Sequence, residues 1–475
     1  MDLGQFILMR QELLLTLAAV VILIAEIATS EKNKARLVPF SIGLFALVTI
    51  IGFIPGQEGT LFGGSYQSSQ LTMFMKNILN MAVLIIFLQA EGWLRKEENL
   101  DKISEYFILT IATLIGMNFM ISAGDFLIFY IGLETATIPI AGLAAFDKYK
   151  SQSAEAGIKL ILSSALSSGI LLFGLSLLYG ATGSIYFADI AGKVAPNALI
   201  ALGFIFFVSG MGFKISLVPF HFWTADVYEG APIGVTSYLS VVSKGAAAFI
   251  FTIILFTVFK NIVDMWQPLI YTLAVFTMTL ANLFALRQDN IKRFLAFSSI
   301  AQAGFILLGV LNAGELGMTS VVYFVLVYVF TNLGAFGVVA AVHNASGIET
   351  ISGYNGLYKT NPKLSLLMTL SLFSLAGIPP VAGFFGKFFL FTAAAGAGYY
   401  ILVLIAVLNA TISLYYYLRV VKAMFIDQNE QPIPTFRSSN AMRLALVMCV
   451  AGVFIIGFAS GIFEYIRTIS QLFLN

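Results

Sequence analysis

Runs of about twenty mostly apolar residues, the length a helix needs to span a bilayer, recur along nearly the whole chain. They predict an all-α polytopic membrane protein of about fourteen spans, near 10–28, 36–54, 71–92, 105–122, 125–146, 155–180, 196–220, 232–259, 266–286, 291–312, 317–342, 364–396, 398–425 and 440–468. The composition agrees: 59% of the 475 residues are hydrophobic and 11% are charged, against about 25% charged in soluble domains. A net charge of +2 offers no basic surface for nucleic acid. The single cysteine, Cys449, excludes an internal disulfide and a cysteine-held metal or iron–sulfur cluster. The histidines, His221 and His343, are far apart, and no His/Glu spacing reads as a metal ligand set. The first apolar stretch lacks a small-residue cleavage site and reads as a span.

Lysine and arginine are unevenly shared between alternate loops. One set carries Lys32, Lys34 and Arg36, then Arg95, Lys96 and Lys102, and continues through Lys148, Lys150, Arg287, Lys292, Arg293, Lys359 and Lys363 to Arg419 and Arg443. The other set holds little beyond Lys193 and Lys260. The positive-inside rule assigns the first set to the cytoplasm. An even span count then puts both termini on the periplasmic side. Trp93 and Trp266, near span ends, suit an aromatic belt.

Two spans are interrupted. The seventh meets Pro219 soon after Lys214, and the twelfth contains Ala376-Gly377-Ile378-Pro379-Pro380 before Lys387. Proline removes a backbone donor and breaks the helical ladder, which membranes tolerate where protein or water covers the break. Two broken spans five apart suggest two inverted five-helix repeats around a functional site. The expected division of one membrane domain, 1–475, is N-terminal helices 1–104, a first repeat 105–259, a second repeat 260–425 and a last helix 426–475.

Four charges lie inside apolar spans: Glu134, Lys214, Lys244 and Lys387. Each costs about 2.5–3.5 kcal/mol at mid-membrane on insertion scales, so the default reading is a path for protons or ions. Glu134 is the best candidate ion-pair partner for Lys214, and withdrawing such a partner would release a proton from the lysine. Lys244 lies deep in the eighth span beside Gly245-Ala246-Ala247-Ala248, too far in to snorkel. The bland alternative for all four is static packing charge. Lys159, with Glu155 at i−4, is open between function and an ordinary helical pair. His221, beside Pro219, is a proton-exchange group or a loop anchor. Lys76 and His343 read as interfacial. Ser163, Ser164, Ser167, Ser168, Ser298, Ser299, Gln302, Tyr328, Thr331 and Asn332 can hold water between titratable groups or act as interhelical glue.

The stretch Phe213-Lys214-Ile215-Ser216-Leu217-Val218-Pro219-Phe220-His221-Phe222-Trp223-Thr224-Ala225-Asp226-Val227-Tyr228-Glu229-Gly230-Ala231-Pro232 resembles the signature of the antiporter-like subunits of respiratory complex I and the related multisubunit cation/proton antiporters. Ser243-Lys244, the Ile291–Ile300 segment and Leu375–Lys387 agree with it. Within that family, the stop after the fourteenth span, Lys387 in place of a sister subunit's glutamate, and Ala156-Gly157-Ile158-Lys159 point to the type without a lateral helix. The resemblance implies a gating pair at Glu134 and Lys214, a relay lysine at Lys244, a second-half lysine at Lys387 and a sixth-helix lysine at Lys159. It implies a proton-translocating subunit of a quinone-reducing complex, with no cofactor in this chain. Flavin, iron–sulfur clusters and quinone are expected on partner subunits, among them sister antiporter-like subunits, in a bacterial inner membrane. The eighth span lacks a histidine that some sisters carry, so hydroxyls and water take its place. A subunit of a sodium/proton antiporter and a non-pumping scaffold are the alternatives.

Overall fold

The computed structural model describes residues 3–474. The first helices are α1 (Arg10–Ala28), α2 (Leu37–Gly52), α3 (Gln70–Leu94), α4 (Ile103–Ile121), α5 (Phe126–Ala144) and α6 (Ser151–Thr182). After the short α7 (Phe187–Lys193) come α8 (Ala198–Ile215), α9 (Phe222–Gly230), α10 (Ile233–Tyr238) and α11 (Lys244–Thr257). Then follow α12 (Val263–Ala285), α13 (Ile291–Val310), α14 (Glu315–Ser346) and the one-turn α15 (Leu357–Thr360). The chain continues through α16 (Pro362–Ala376), α17 (Ala382–Gly396), α18 (Tyr400–Phe425), α19 (Asn440–Phe458) and α20 (Ser460–Leu474). Among the described residues, thirteen helical segments are long and apolar enough to cross a membrane, and α16 with α17 supply two shorter apolar helices where the twelfth span is expected. The loops rich in lysine and arginine gather at one end, here termed the basic end.

Burial sorts the bundle. The apolar windows of Ile233–Thr257, Ile291–Val310 and Glu315–Ser346 are 100%, 94% and 89% buried, while those of α1 and α18 are 33% buried. The central helices are apolar on all sides because other helices surround them. The outer ones keep Leu17, Ile24, Ile401 and Leu404 exposed, as lipid-facing surface requires.

Both predicted breaks are present and are built alike. Helix α8 ends at Ser216 (φ 68°), where Ser216 N–H donates to Phe213 O at 3.0 Å and Leu217 N–H to Gly212 O at 2.7 Å. Helix α16 ends at Gly377 (φ 88°), with Gly377 N–H on Ser374 O at 3.1 Å and Ile378 N–H on Phe373 O at 3.0 Å. Each is a Schellman closure, which satisfies carbonyls that a helix end leaves free. Pro219 and Pro380 each follow three residues on, behind cis peptide bonds. The two breaks run oppositely, since α8–α9 ends at the basic end and α16 starts there.

At the other end a hairpin of β1 (Gly59–Leu61) and β2 (Tyr66–Ser68) pairs Gly59 with Ser68. Gln67 N–H donates to Ser122 O at 2.7 Å and Gly124 N–H to Ser65 O at 2.8 Å, which ties the hairpin to the α4–α5 turn. Asp125 then caps α5 through Ile128 N–H at 2.7 Å, a bond worth about 1 kcal/mol.

Three expectations are corrected. The last span stops at Phe458, because the chain turns at Ala459 into the separate amphipathic α20. Trp266 is fully buried and donates Nε1–H to Phe259 O at 3.1 Å, so packing and not a lipid interface sets its place. Lys76 is 2% exposed, with its Nζ 2.6 Å from Glu12 Oε1 and 2.9 Å from Tyr66 Oη. The carboxylate of α1 draws it inward, and neither residue's neighbours in sequence announced the partner.

Candidate functional site

Helices α5, α8, α11, α13, α14, α16 and α17 place a band of buried polar groups across the middle of the bundle. Glu134 lies halfway along α5, and α5 continues helical through Pro139. One turn on, Thr137 Oγ1 accepts from Lys214 Nζ at 2.7 Å. The predicted Glu134–Lys214 ion pair is not made: no Lys214 N to carboxylate O distance within 4.0 Å occurs among the described residues, and Glu134 Oε1 is buried without a hydrogen-bond partner. A threonine one turn away takes the lysine. Beside them lies a cavity of about 10 Å³ lined by Ser164, Ser167, Ser168 and Gly210, room for about one water.

Lys244 is 4% exposed in the most buried span. Its Nζ donates to Ser299 Oγ at 2.6 Å and sits 5.3 Å from the ring centre of Tyr228. Just before it, Leu239–Ser243 form a π-helical turn, a widening of the helix frequent at functional sites. Within this turn Ser240 Oγ lies 3.1 Å from Tyr328 Oη and accepts from Asn332 Nδ2 at 2.7 Å.

Lys387 is 4% exposed and stands on the second break. Its Nζ donates to Ala376 O at 3.0 Å, at the negative end of α16, and lies 4.5 Å from the Phe305 ring centre. Gly377 must be small here, because a Cβ would press on Lys387 Cδ at 3.0 Å. A second cavity of about 10 Å³, lined by Gln302, Tyr328, Thr331, Ser374 and Lys387, joins this lysine to the neighbourhood of Ser240. Thr331 Oγ1 and Ser374 Oγ are 2.8 Å apart, and Gln302 Nε2 donates to Tyr417 Oη at 3.3 Å. The polar side chains therefore run nearly continuously from Lys244 to Lys387. Among the described residues no hydrogen-bonded chain links Lys214 to Lys244.

Lys159 belongs to another set. It pairs with Glu155 at 2.7 Å, as its spacing predicts, and also with Asp226 of α9 at 2.6 Å. Asp226 in turn holds Arg293 at 2.7 Å, which also reaches Glu229 at 2.9 Å. Partial burial pushes the Asp226 carboxyl up, but its bonds to Lys159 and Arg293 outweigh this and hold it below the usual carboxylate range. His221 is 5% exposed, packs against Phe222 with ring centroids 4.6 Å apart and the rings tilted by 32°, and has no partner at Nδ1. His343 lies in the last turn of α14. It lines a cavity at the basic end, with Nδ1 3.3 Å from Glu349 Oε1.

Sequence reasoning missed Thr137, Tyr228, Ser240 and Tyr417. Only Thr137 carried a signal, since position i+3 from Glu134 shares its helix face.

The family model described as NADH:quinone oxidoreductase/Mrp antiporter, TM matches residues 123–413. The NADH-quinone oxidoreductase subunit N of Azobacteroides pseudotrichonymphae is 52% identical over 474 residues, covering 99% of each chain. That of Phocaeicola vulgatus is 50% identical over 466 residues, 98% of each. Among solved structures, a chain of respiratory complex I from Thermus thermophilus with bound aureothin superposes with a TM-score of 0.79 at 27% identity, over 95% of this chain and 97% of that one. A chain of the Mrp complex from Dietzia sp. DQ12-45-1b shares the fold, with a TM-score of 0.87 at 20% identity over 100% and 98%.

Proposed function

The chain belongs to the NADH:quinone oxidoreductase/Mrp antiporter membrane family, on its subunit N branch, and from that premise we propose that it carries protons across a bilayer along Lys214, Lys244 and Lys387. One observation carries the reading. Each of these three buried lysines ends on a hydroxyl or a carbonyl. The other buried lysines, Lys76 and Lys292, end on carboxylates. A carboxylate pins an ammonium in place, because separating buried opposite charges is costly. A hydroxyl serves an ammonium and a neutral amine alike, so the lysine it holds can take up and release a proton.

Glu134 is the switch in this reading. Its carboxylate is one helical turn from the threonine that holds Lys214. A charge change arriving from a neighbouring subunit moves Lys214 between Thr137 and Glu134. The missing bonded link between Lys214 and Lys244 is the gated step. From Lys244 the proton passes by Ser299, Ser240, Tyr328 and a water to Lys387. Lys159 and His221 flank the route: Lys159 locks α6 to α9 through Asp226, and His221 sits at the first break. The positive-inside asymmetry supports a cytoplasmic basic end and periplasmic termini in a bacterial inner membrane. The oppositely directed Schellman breaks support the two inverted repeats, 105–259 and 260–425, between 1–104 and 426–475. Electron transfer from NADH to quinone belongs to partner subunits of a complex I-type assembly, which hold flavin and iron–sulfur clusters.

The test is NADH-driven proton uptake in inverted membrane vesicles carrying Lys244→Ala or Lys214→Ala. Uptake falls by about 10²-fold or more, the usual scale for losing a proton-transfer group, while the complex stays assembled. Normal uptake by an assembled variant removes the relay. Loss of assembly with every charge-neutral substitution favours the scaffold instead.

A further inference from the structure

A helix end leaves its last four carbonyls without partners inside the helix. At the end of α16 all four are met. Phe373 O takes Ile378 N–H at 3.0 Å and Ser374 O takes Gly377 N–H at 3.1 Å, which is the Schellman closure. Side chains supply the other two donors. Gln302 Nε2 donates to Leu375 O at 3.1 Å, and Lys387 Nζ donates to Ala376 O at 3.0 Å. Gln302 comes from the middle of α13 and Lys387 from α17, so two helices remote in sequence meet on adjacent carbonyls.

The bond to Leu375 O fixes which way the Gln302 amide points, because a carbonyl accepts only from its nitrogen. The same Nε2 reaches Tyr417 Oη at 3.3 Å, and Tyr417 Oη lies 2.5 Å from Ser298 Oγ. Gln302 Oε1 is then the free atom: it is buried, has no partner, and belongs to a residue 2% exposed. A buried acceptor in that state is rare and calls for a donor. Gln302 and Lys387 line the same cavity of about 10 Å³, room for about one water. Lys387 is the charged residue of that lining, and its ammonium has three N–H groups, of which Ala376 O takes one.

The first break is served from the same register. Thr137, which accepts from Lys214, stands eleven residues after Phe126 at the start of α5. Gln302 stands eleven residues after Ile291 at the start of α13, the matching helix of the second proposed repeat.

We infer that Gln302 is a positioning residue for Lys387, and that its Oε1 is a second seat for the amine. Lys387 alternates between Ala376 O and Gln302 Oε1. At Ala376 O the negative end of α16 favours the ammonium. At Oε1 a neutral amide serves the ammonium and the neutral amine alike, so the proton leaves from there to a water. The amide itself takes up no proton. The inference rests on the relay reading above and adds to it a residue and a motion.

Two variants in the whole complex test it. Gln302→Met keeps the length of the side chain and removes both amide atoms. Gln302→Glu keeps an oxygen at the seat but makes it a carboxylate, which pins an ammonium. Neither the thioether nor the carboxylate donates to Leu375 O, so a residue that only ties the end of α16 gives two variants that behave alike. NADH-driven proton uptake in inverted vesicles falls about tenfold in Gln302→Met and about 10²-fold or more in Gln302→Glu. This chain stays in the complex in both, and Gln302→Glu is the more resistant to protease. The solvent deuterium isotope effect on uptake rises in Gln302→Met, which a purely structural tie does not move. Normal uptake in assembled Gln302→Met, an equal fall in the two variants, an unchanged isotope effect, or loss of assembly in both each overturns the second seat. Lys387→Ala separates the seat from the relay. Lost uptake there with normal uptake in Gln302→Met removes only the seat, whereas normal uptake in Lys387→Ala removes the relay itself.

Discussion

Replacing Glu12 with glutamine is expected to destabilise the N-terminal helices far more than a surface change, although Glu12 lies outside the relay. Lys76 and Glu12 have side chains 2% and 3% exposed and 2.6 Å apart. Tyr66 Oη touches both, at 2.9 Å from Lys76 Nζ and 3.1 Å from Glu12 Oε2. Glutamine leaves a fully buried ammonium facing only a phenol and an amide. Breaking a buried pair on one side costs about 3–5 kcal/mol, against about 0.5 kcal/mol or less for ordinary surface substitutions. The combination Glu12→Leu with Lys76→Met removes both charges. It is expected to be near neutral apart from about 1–3 kcal/mol for the stranded Tyr66 hydroxyl, which Tyr66→Phe relieves. The assay is the thermal stability of the purified complex, read as dissociation or proteolysis of this chain. The order of stability should be wild type close to the triple variant, then the double, then Glu12→Gln. Glu12→Gln as stable as wild type would refute the argument that this lysine is held by its carboxylate.

The hydroxyl-held lysines answer differently. Thr137→Val keeps the shape of α5 but removes the Lys214 acceptor; losing a bond to a charged group is worth about 1.5–3 kcal/mol, so proton uptake should fall more than tenfold with assembly intact. Gly377→Ala forces a left-handed residue at about 1–2 kcal/mol and pushes on Lys387, so it should slow uptake and lower stability together, whereas Gly183→Ala, at the left-handed C-cap of α6 with nothing within 4 Å of an added Cβ, should cost stability only. Because Asp226 is held below its ordinary 3.8, its contribution to the α6–α9 contact is fully present above that value and is lost only as pH falls through the lowered one. Asp226→Asn should therefore loosen α9 at neutral pH, visible as faster hydrogen exchange there, while the wild type stays protected to well below pH 5.

Legibility followed the physical range of each signal. The spans, both breaks, the three buried lysines and the half-buried Glu134 were legible because lipid penalises polar atoms one residue at a time, and proline and glycine act on their own backbone. The partners were not. Glu134 and Lys214 are opposite charges in one membrane, and sequence pairs them readily, yet the lysine ends on Thr137. Lys76 looked interfacial because it lies near a span end, and its partner stands 64 residues earlier. The cavity at the basic end draws its walls from five separate segments. Its existence is a property of packing that no local pattern records.

By itself the sequence determined that this chain lies in a membrane as about fourteen helices, that two of them are interrupted, and that charge is retained where it is most costly. Each of those follows from the transfer energy or the backbone geometry of single residues. Only the tertiary structure decided which buried lysines are pinned by carboxylates and which rest on hydroxyls or a carbonyl. That difference depends on a few ångströms between helices far apart in the chain, and helix packing alone sets such distances.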